Sequence, residues 1–141
     1  MPYRYLDHQA DVGILSWGTS IEEAFTDGAL ALFGLMAELG TVEEKGRIGF
    51  ECRSREESLL FVEMLNALIC EADLAGYLFR RIEEVKLTPD GDEIILSAQA
   101  VGEPFDASRH EPGIEVKAAT YSGLRYEVTN GEHSLRCLLD I

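Results

Sequence analysis

Apolar and polar positions along this chain change period several times, and each change marks an element. Tyr3 to Asp7 and Val12 to Trp17 read as short strands around a bend at His8-Gln9-Ala10. Thr19-Ser20 then opens a helix. Ser20 with Glu23 three residues on is a capping box, each side chain satisfying the other's orphan backbone donor. This helix is expected to run to about Leu39 and stop at Gly40. A second capping box, Ser54 with Glu57, predicts a helix through Ala72 that ends near Asp73 to Gly76. Between the helices Gly46 to Arg53 alternates as a strand does, with Ile48, Phe50 and Cys52 on one face. Beyond Gly76 the texture is that of strands. Leu78 to Leu87 and Glu93 to Val101 flank the turn signal Thr88-Pro89-Asp90-Gly91. Gly102 to Pro112 reads as a longer loop. Ile114 to Tyr121, Leu124 to Val128 and Ser134 to Asp140 read as three further strands, connected at Gly123 and at Asn130-Gly131.

The helices carry the fold argument. Surface helices show one apolar stripe and one polar face. Here Gly28 to Met36 is apolar on every face, and Leu59 to Cys70 nearly so. Two such helices in a soluble chain need cover on both sides, and at least seven strand candidates are available to provide it. The expected architecture is therefore α+β: one domain spanning residues 1–141, a three-layer β/α/β sandwich with two helices between two mainly antiparallel sheets. Helices on one face of a single sheet would leave their outer sides apolar and wet unless a dimer covered them.

Composition narrows the function classes. Twelve basic against 26 acidic residues give a formal charge of −14, and 46% of positions are hydrophobic. A chain with that much apolar material folds despite its charge. Such an acidic surface argues against binding duplex nucleic acid, which begins with cations replacing condensed counterions. A basic protein, a metal or another protein is the expected partner. No leader-like segment opens the chain, and the longest apolar run, Gly28 to Ala37, is too short to span a bilayer, so no membrane association is expected. Cys52, Cys70 and Cys137 are widely separated within apolar patterns. They read as buried reduced thiols of a cytoplasmic protein rather than as a disulfide framework or a zinc site.

Phosphate loops, dinucleotide fingerprints, zinc helices and nucleophile elbows are all missing from the sequence. Three segments carry chemistry instead. Asp7-His8-Gln9-Ala10-Asp11 places two carboxylates and an imidazole within five residues, able to hold a cation or position a proton; the same pattern also suits a polar turn. At the other end Asp140 stands beside the Ile141 α-carboxylate, two negative groups whose repulsion a divalent cation would relieve. If Asp11 lies close by, Asp11, Asp140 and Ile141 make an all-oxygen site suited to Ca²⁺, Mg²⁺ or Mn²⁺ rather than zinc; two solvated charges are the alternative. The third segment, Gly102 to Glu111 with Glu115 to Tyr121 after it, mixes Glu103, Arg109, His110 and Lys117 with an exposed-looking Phe105.

Together these segments resemble the archease family. Asp7-His8-Gln9-Ala10-Asp11-Val12-Gly13 is similar to its DHTADVG opening, Ser20-Ile21-Glu22-Glu23-Ala24-Phe25 to its first helix, and Gly102-Glu103-Pro104-Phe105-Asp106 with Arg109-His110 to its loop. Glu115 to Tyr121 and the terminal Leu138-Leu139-Asp140-Ile141 complete the pattern, so the likeness spans the chain in order. It implies a sandwich of the kind argued above and a small acidic cytosolic accessory protein. Such a protein assists the GTP-dependent RNA ligase of tRNA splicing by promoting guanylylation of the ligase and multiple turnover. A chaperone-like effect on a tRNA methyltransferase is an older family assignment. The family's divalent-metal site carries over to Asp11, Asp140 and Ile141. Asp7, His8, Glu103, Arg109, His110 and Lys117 match further signature positions without assigned roles. Gln9 stands where the family has Thr, Ser122 where it has His, and Met64 where Trp is common. Two other classes compete: a stand-alone metal-dependent hydrolase or phosphoesterase using Asp7, Asp11 and a histidine, and a holdase binding apolar segments regardless of Asp11.

Overall fold

Ser20 caps the first helix by accepting the Glu23 amide at 3.2 Å, and the Glu23 carboxylate reaches back to the Thr19 amide and hydroxyl, both at 2.8 Å. The box thus closes one residue earlier than its simplest form. The computed structural model describes residues 2–7 and 11–141, residue 7 through its main chain. Within it α1 (Ile21–Met36) is buried along Phe25, Ala29, Leu32 and Phe33, and α2 (Glu57–Ala75) along Phe61, Met64, Leu65 and Leu68. The helices meet where Gly28 lets the Phe61 ring close in; a Cβ at position 28 would stand 2.3 Å from that ring. Phe25 and Phe61 also pack edge to face, centroids 6.0 Å apart.

Among the described residues seven strands cover both sides. β1 (Tyr3–Asp7), β2 (Asp11–Gly18), β7 (Glu132–Asp140) and β6 (Ala118–Thr129) form one sheet in that order. β3 (Gly46–Ser54), β5 (Glu93–Pro104) and β4 (Tyr77–Asp90) form the other. Every pairing is antiparallel. α1 packs on β2 and on β4, and α2 on β3 and on β6, so each helix touches both sheets. The all-round apolar helices are buried as the three-layer sandwich requires. No described helix is long and apolar enough to cross a membrane.

Several boundaries differ from the sequence reading, each for a physical reason. Gly123 does not connect two strands: it sits at φ 66° inside the single long strand β6, at a register shift between Thr120 and Arg125. A glycine inside a strand pattern is a bulge signal as well as a turn signal, and both halves of β6 pair with β7. Ile114 to Lys117 are not strand. The amides of Gly113 and Ile114 instead bind the Met36 and Leu35 carbonyls (3.2 and 2.8 Å), serving carbonyls that the end of α1 leaves orphaned. α1 accordingly stops at Met36, before a short 3₁₀ turn at Leu39–Thr41. Ser54 is consumed by β3, paired with Ile94, so Glu56 occupies the α2 N-cap without a side-chain bond and the second capping box does not form. β4 runs through Pro89 to Asp90, leaving Gly91-Asp92 as the turn; the proline is tolerated because β4 is an edge strand. Glu103 lies on β5 rather than in a loop.

Candidate functional site: an aspartate pair and the loop that reaches it

Asp11 begins β2 and Asp140 ends β7, and the register sets them directly opposite each other. Directly opposed side chains on paired strands have Cβ atoms about 4.5–5.5 Å apart, and like charges there repel. Both residues are half-buried, and among the described residues neither has a Lys, Arg or His nitrogen within 4.0 Å. On the far side of β7, Ala118 pairs with Asp140, and the Lys117 amide donates to the Asp140 carbonyl at 2.8 Å. Ile141 follows, half-buried against the core.

These residues offer hard oxygens, and the fit to a divalent cation is chemical: two carboxylates on adjacent strands, with no ion-paired nitrogen among the described residues. Among the described residues no group of three His, Cys, Asp or Glu side chains converges on one point. An ion held by these two carboxylates would therefore keep open positions. Asp7 is on β1, its main chain paired with Val12 in the same hairpin. His8 lies outside the described residues.

Glu103, Arg109 and His110 come together elsewhere, in a second cluster. The Glu103 side chain is 1% exposed. It accepts the Glu43 amide at 2.6 Å and faces His110 Nε2 at 3.1 Å, the Arg109 guanidinium, and Lys45 Nζ at 3.6 Å. The Glu43 amide first, then His110 and Arg109, hold its pKa down to about 2 against the opposing effect of burial. His110 Nδ1 accepts the Asp106 amide at 2.9 Å, which assigns the proton to Nε2 and makes His110 a donor to Glu103. Asp106 in turn accepts the Ser108 amide and hydroxyl, and Phe105 stacks on the His110 ring at 5.9 Å. These bonds tie residues 103–110 to one another and to Glu43 and Lys45, so the cluster shapes the loop that follows β5.

The loop connects the two clusters. From Glu103 it passes Phe105, whose amide binds the Gly76 carbonyl, crosses the end of α1, and reaches Asp140 through Lys117. With the C-terminal half of α2 it borders a groove of about 910 Å³ lined by Ile69, Cys70, Phe105, Ile114 and Lys117. Phe105 and Ile114 are each nearly half exposed, and Leu74 close by in sequence is 77% exposed. Sequence reasoning missed this groove. It also misplaced Cys70, which is exposed, whereas Cys52 and Cys137 are shielded and their thiols pushed up to about 12 by burial. Asn66 was missed as well: its side-chain amide bonds both the N–H and the C=O of Ala119 (2.8 and 3.2 Å), tying α2 to β6. An Asn in an otherwise apolar helix was the available signal.

Fold and site together define a class: small α+β sandwiches whose second and last strands bring an aspartate pair to one sheet end. A family profile described as the archease protein family matches residues 3–141, and the chain belongs to that family. A Drosophila melanogaster protein named "Protein archease-like" is 37% identical over 145 residues, covering 100% of this chain and 91% of its own. The Pyrococcus furiosus "Protein archease" is 35% identical over 125 residues, covering 89% and 87%. The solution structure of Methanobacterium thermoautotrophicum protein 1598 superposes with a TM-score of 0.85 at 28% identity, over 99% of both chains. A Thermotoga maritima structure described as an archease, possible chaperone, shares the fold at a TM-score of 0.62 and 19% identity, over 96% and 94%.

Proposed function

We propose that this chain is a non-catalytic accessory protein that activates a GTP-dependent RNA ligase of the tRNA-splicing type, promoting its guanylylation and multiple turnover with the help of a divalent cation at Asp11 and Asp140. The observation that carries the reading is the register itself, which opposes two carboxylates without a described counter-charge. When bound, a divalent cation there supplies positive charge and open coordination positions. Asp11 and Asp140 hold it, with the Ile141 carboxylate as the third ligand implied by family likeness. Ca²⁺, Mg²⁺ and Mn²⁺ all suit the oxygen donors. Phe105 and Ile114 offer apolar contact in the groove that Lys117 also lines, and the net charge of −14 favours a basic, RNA-handling protein as partner. The chain's own part is to dock, to present the carboxylates and to hold the loop in place; no described group is poised as a nucleophile. A cytoplasmic setting accords with this role, as does a chaperone-like effect on a tRNA methyltransferase.

The test is a guanylylation assay with GTP and such a ligase, with and without this protein. Stimulation is expected for the unaltered chain and its loss for Asp11→Ala and for Asp140→Ala, with metal content falling in parallel. Full stimulation by both folded variants would reject the metal-dependent reading. Phosphoester turnover by the chain alone in Mn²⁺ or Mg²⁺ would favour a hydrolase instead.

A further inference from the structure

The outer face of the four-stranded sheet, the side turned away from the helices, carries a row of arginines. Register places Arg4 opposite Leu15, Leu15 opposite Arg136, and Arg136 opposite Arg125, so one line across β1, β2, β7 and β6 reads Arg-Leu-Arg-Arg. The row floors a cleft of about 660 Å³ in which Trp17, one position along on the same face, stands beside it. Arg125 and Arg136 confront each other directly, an arrangement of like charges that costs stability when nothing lies between them.

The pairing pattern across the molecule makes the row exceptional. Of the nine arginines, seven have a carboxylate within 4.0 Å. The two without one among the described residues are Arg4 and Arg136, and both line this cleft. In a chain with more than twice as many acids as bases, two arginines on one concave face without a carboxylate among the described residues call for an outside anion. Arg136 adds a second observation: its Nε is sealed from solvent with no hydrogen-bond acceptor. A guanidinium so placed is a donor held ready for an oxyanion, which it recognises through paired N–H groups.

The surroundings define the rest of the ligand. Glu127 also lines the cleft and engages Arg125 at 3.6 Å, and Glu132 is the other acid there. Three arginines against two glutamates leave room for one phosphate, not for a polynucleotide. Trp17, Leu6 and Leu15 give an aromatic and aliphatic floor next to the cations, a surface on which a planar base can stack. Asp11 and Asp140 share this face but lie four residues along each strand from the row, about 13 Å away. The cleft is therefore distinct from the aspartate pair and does not depend on the function proposed for it.

We propose that this cleft binds a mononucleotide, its phosphate on Arg136, Arg4 and Arg125 and its base against Trp17. Trp17 is the sole tryptophan and so reports on its own site. The test titrates the full chain, at low salt without added metal, with a nucleoside 5′-monophosphate, the parent nucleoside, inorganic phosphate and polyglutamate, following Trp17 fluorescence and calorimetric heat. A saturable response to the monophosphate is expected, with binding of inorganic phosphate and of the nucleoside each weaker by about tenfold or more. Arg136→Gln should weaken the monophosphate by about tenfold or more, and Arg136→Lys less. Lys86→Gln, which removes a cation outside the cleft, should leave it unchanged. If Arg136→Gln does not fold, the exposed Arg4→Gln carries the same comparison. No saturable response, or unaltered binding by Arg4→Gln together with Arg136→Gln, would overturn the site. Equal binding of inorganic phosphate, or tighter binding of polyglutamate, would overturn the nucleotide assignment.

Discussion

Glu103 shows what a single buried carboxylate does in this protein. It accepts bonds from three directions and gathers Glu43, Arg109 and His110 around one side chain. Its folded pKa of about 2 lies below the ordinary 4.5, so the folded state favours the ionised form. The stability it contributes is complete above the ordinary value and is lost as pH falls from about 4.5 toward 2. Thermal melts across that window should therefore show a steeper loss for the unaltered chain than for Glu103→Gln, which should be destabilised at pH 7 and flatter below 4.5. The three cysteines make a second expectation at this scale. Cys70 is exposed, while burial pushes Cys52 and Cys137 up to about 12, far from their reactive thiolates. Brief alkylation of the native protein should mark Cys70 first by peptide mass spectrometry, and all three only after denaturation.

At the scale of elements, the molecule depends on a few close fits between helices and strands. Gly28 is the contact point of α1 with Phe61 of α2, and Gly28→Ala should destabilise the fold by about 1–3 kcal/mol through overpacking, read by urea denaturation. Asn66 acts as a short extension of the sheet, bonding both main-chain groups of Ala119. Asn66→Ala leaves those groups without partners, at a cost of about 1–3 kcal/mol. Its effect should appear locally as faster hydrogen exchange at the Ala119 amide. These two positions are far apart in sequence from what they touch. That is why the pattern of residues announced the helices but not the contacts.

At the scale of the whole molecule, charge and topology act together. Most arginines are spent on local carboxylates, chiefly along the β3, β4 and β5 sheet, so the excess of acids is what a partner meets first. If the partner is the ligase proposed above, association should slow on the order of tenfold or more as ionic strength rises from about 0.05 to about 0.5 M, measured by stopped flow. Topology places β1 and β2 beside β7, so that residues near 11 and near 140 share one sheet end, and carries the 104–117 loop from the Glu103 cluster to Asp140.

Sequence alone determined whatever depends on local period and composition: two helices apolar on all sides, strands enough to cover both faces, the Ser20 cap, the Asn130-Gly131 turn and an acidic surface. It also located the segments that carry the family likeness, because those residues are contiguous. Tertiary structure decided which of them meet. It opposed Asp11 to Asp140, gathered Glu103, Arg109 and His110 at a loop, turned Gly123 from a connection into a bulge, and aligned arginines of three strands with Leu15 of a fourth. The reason is register. Period-two alternation tells which face a side chain takes, but only the alignment of one strand against another decides its neighbour, and that alignment is set by the packing of both sheets on the helices between them.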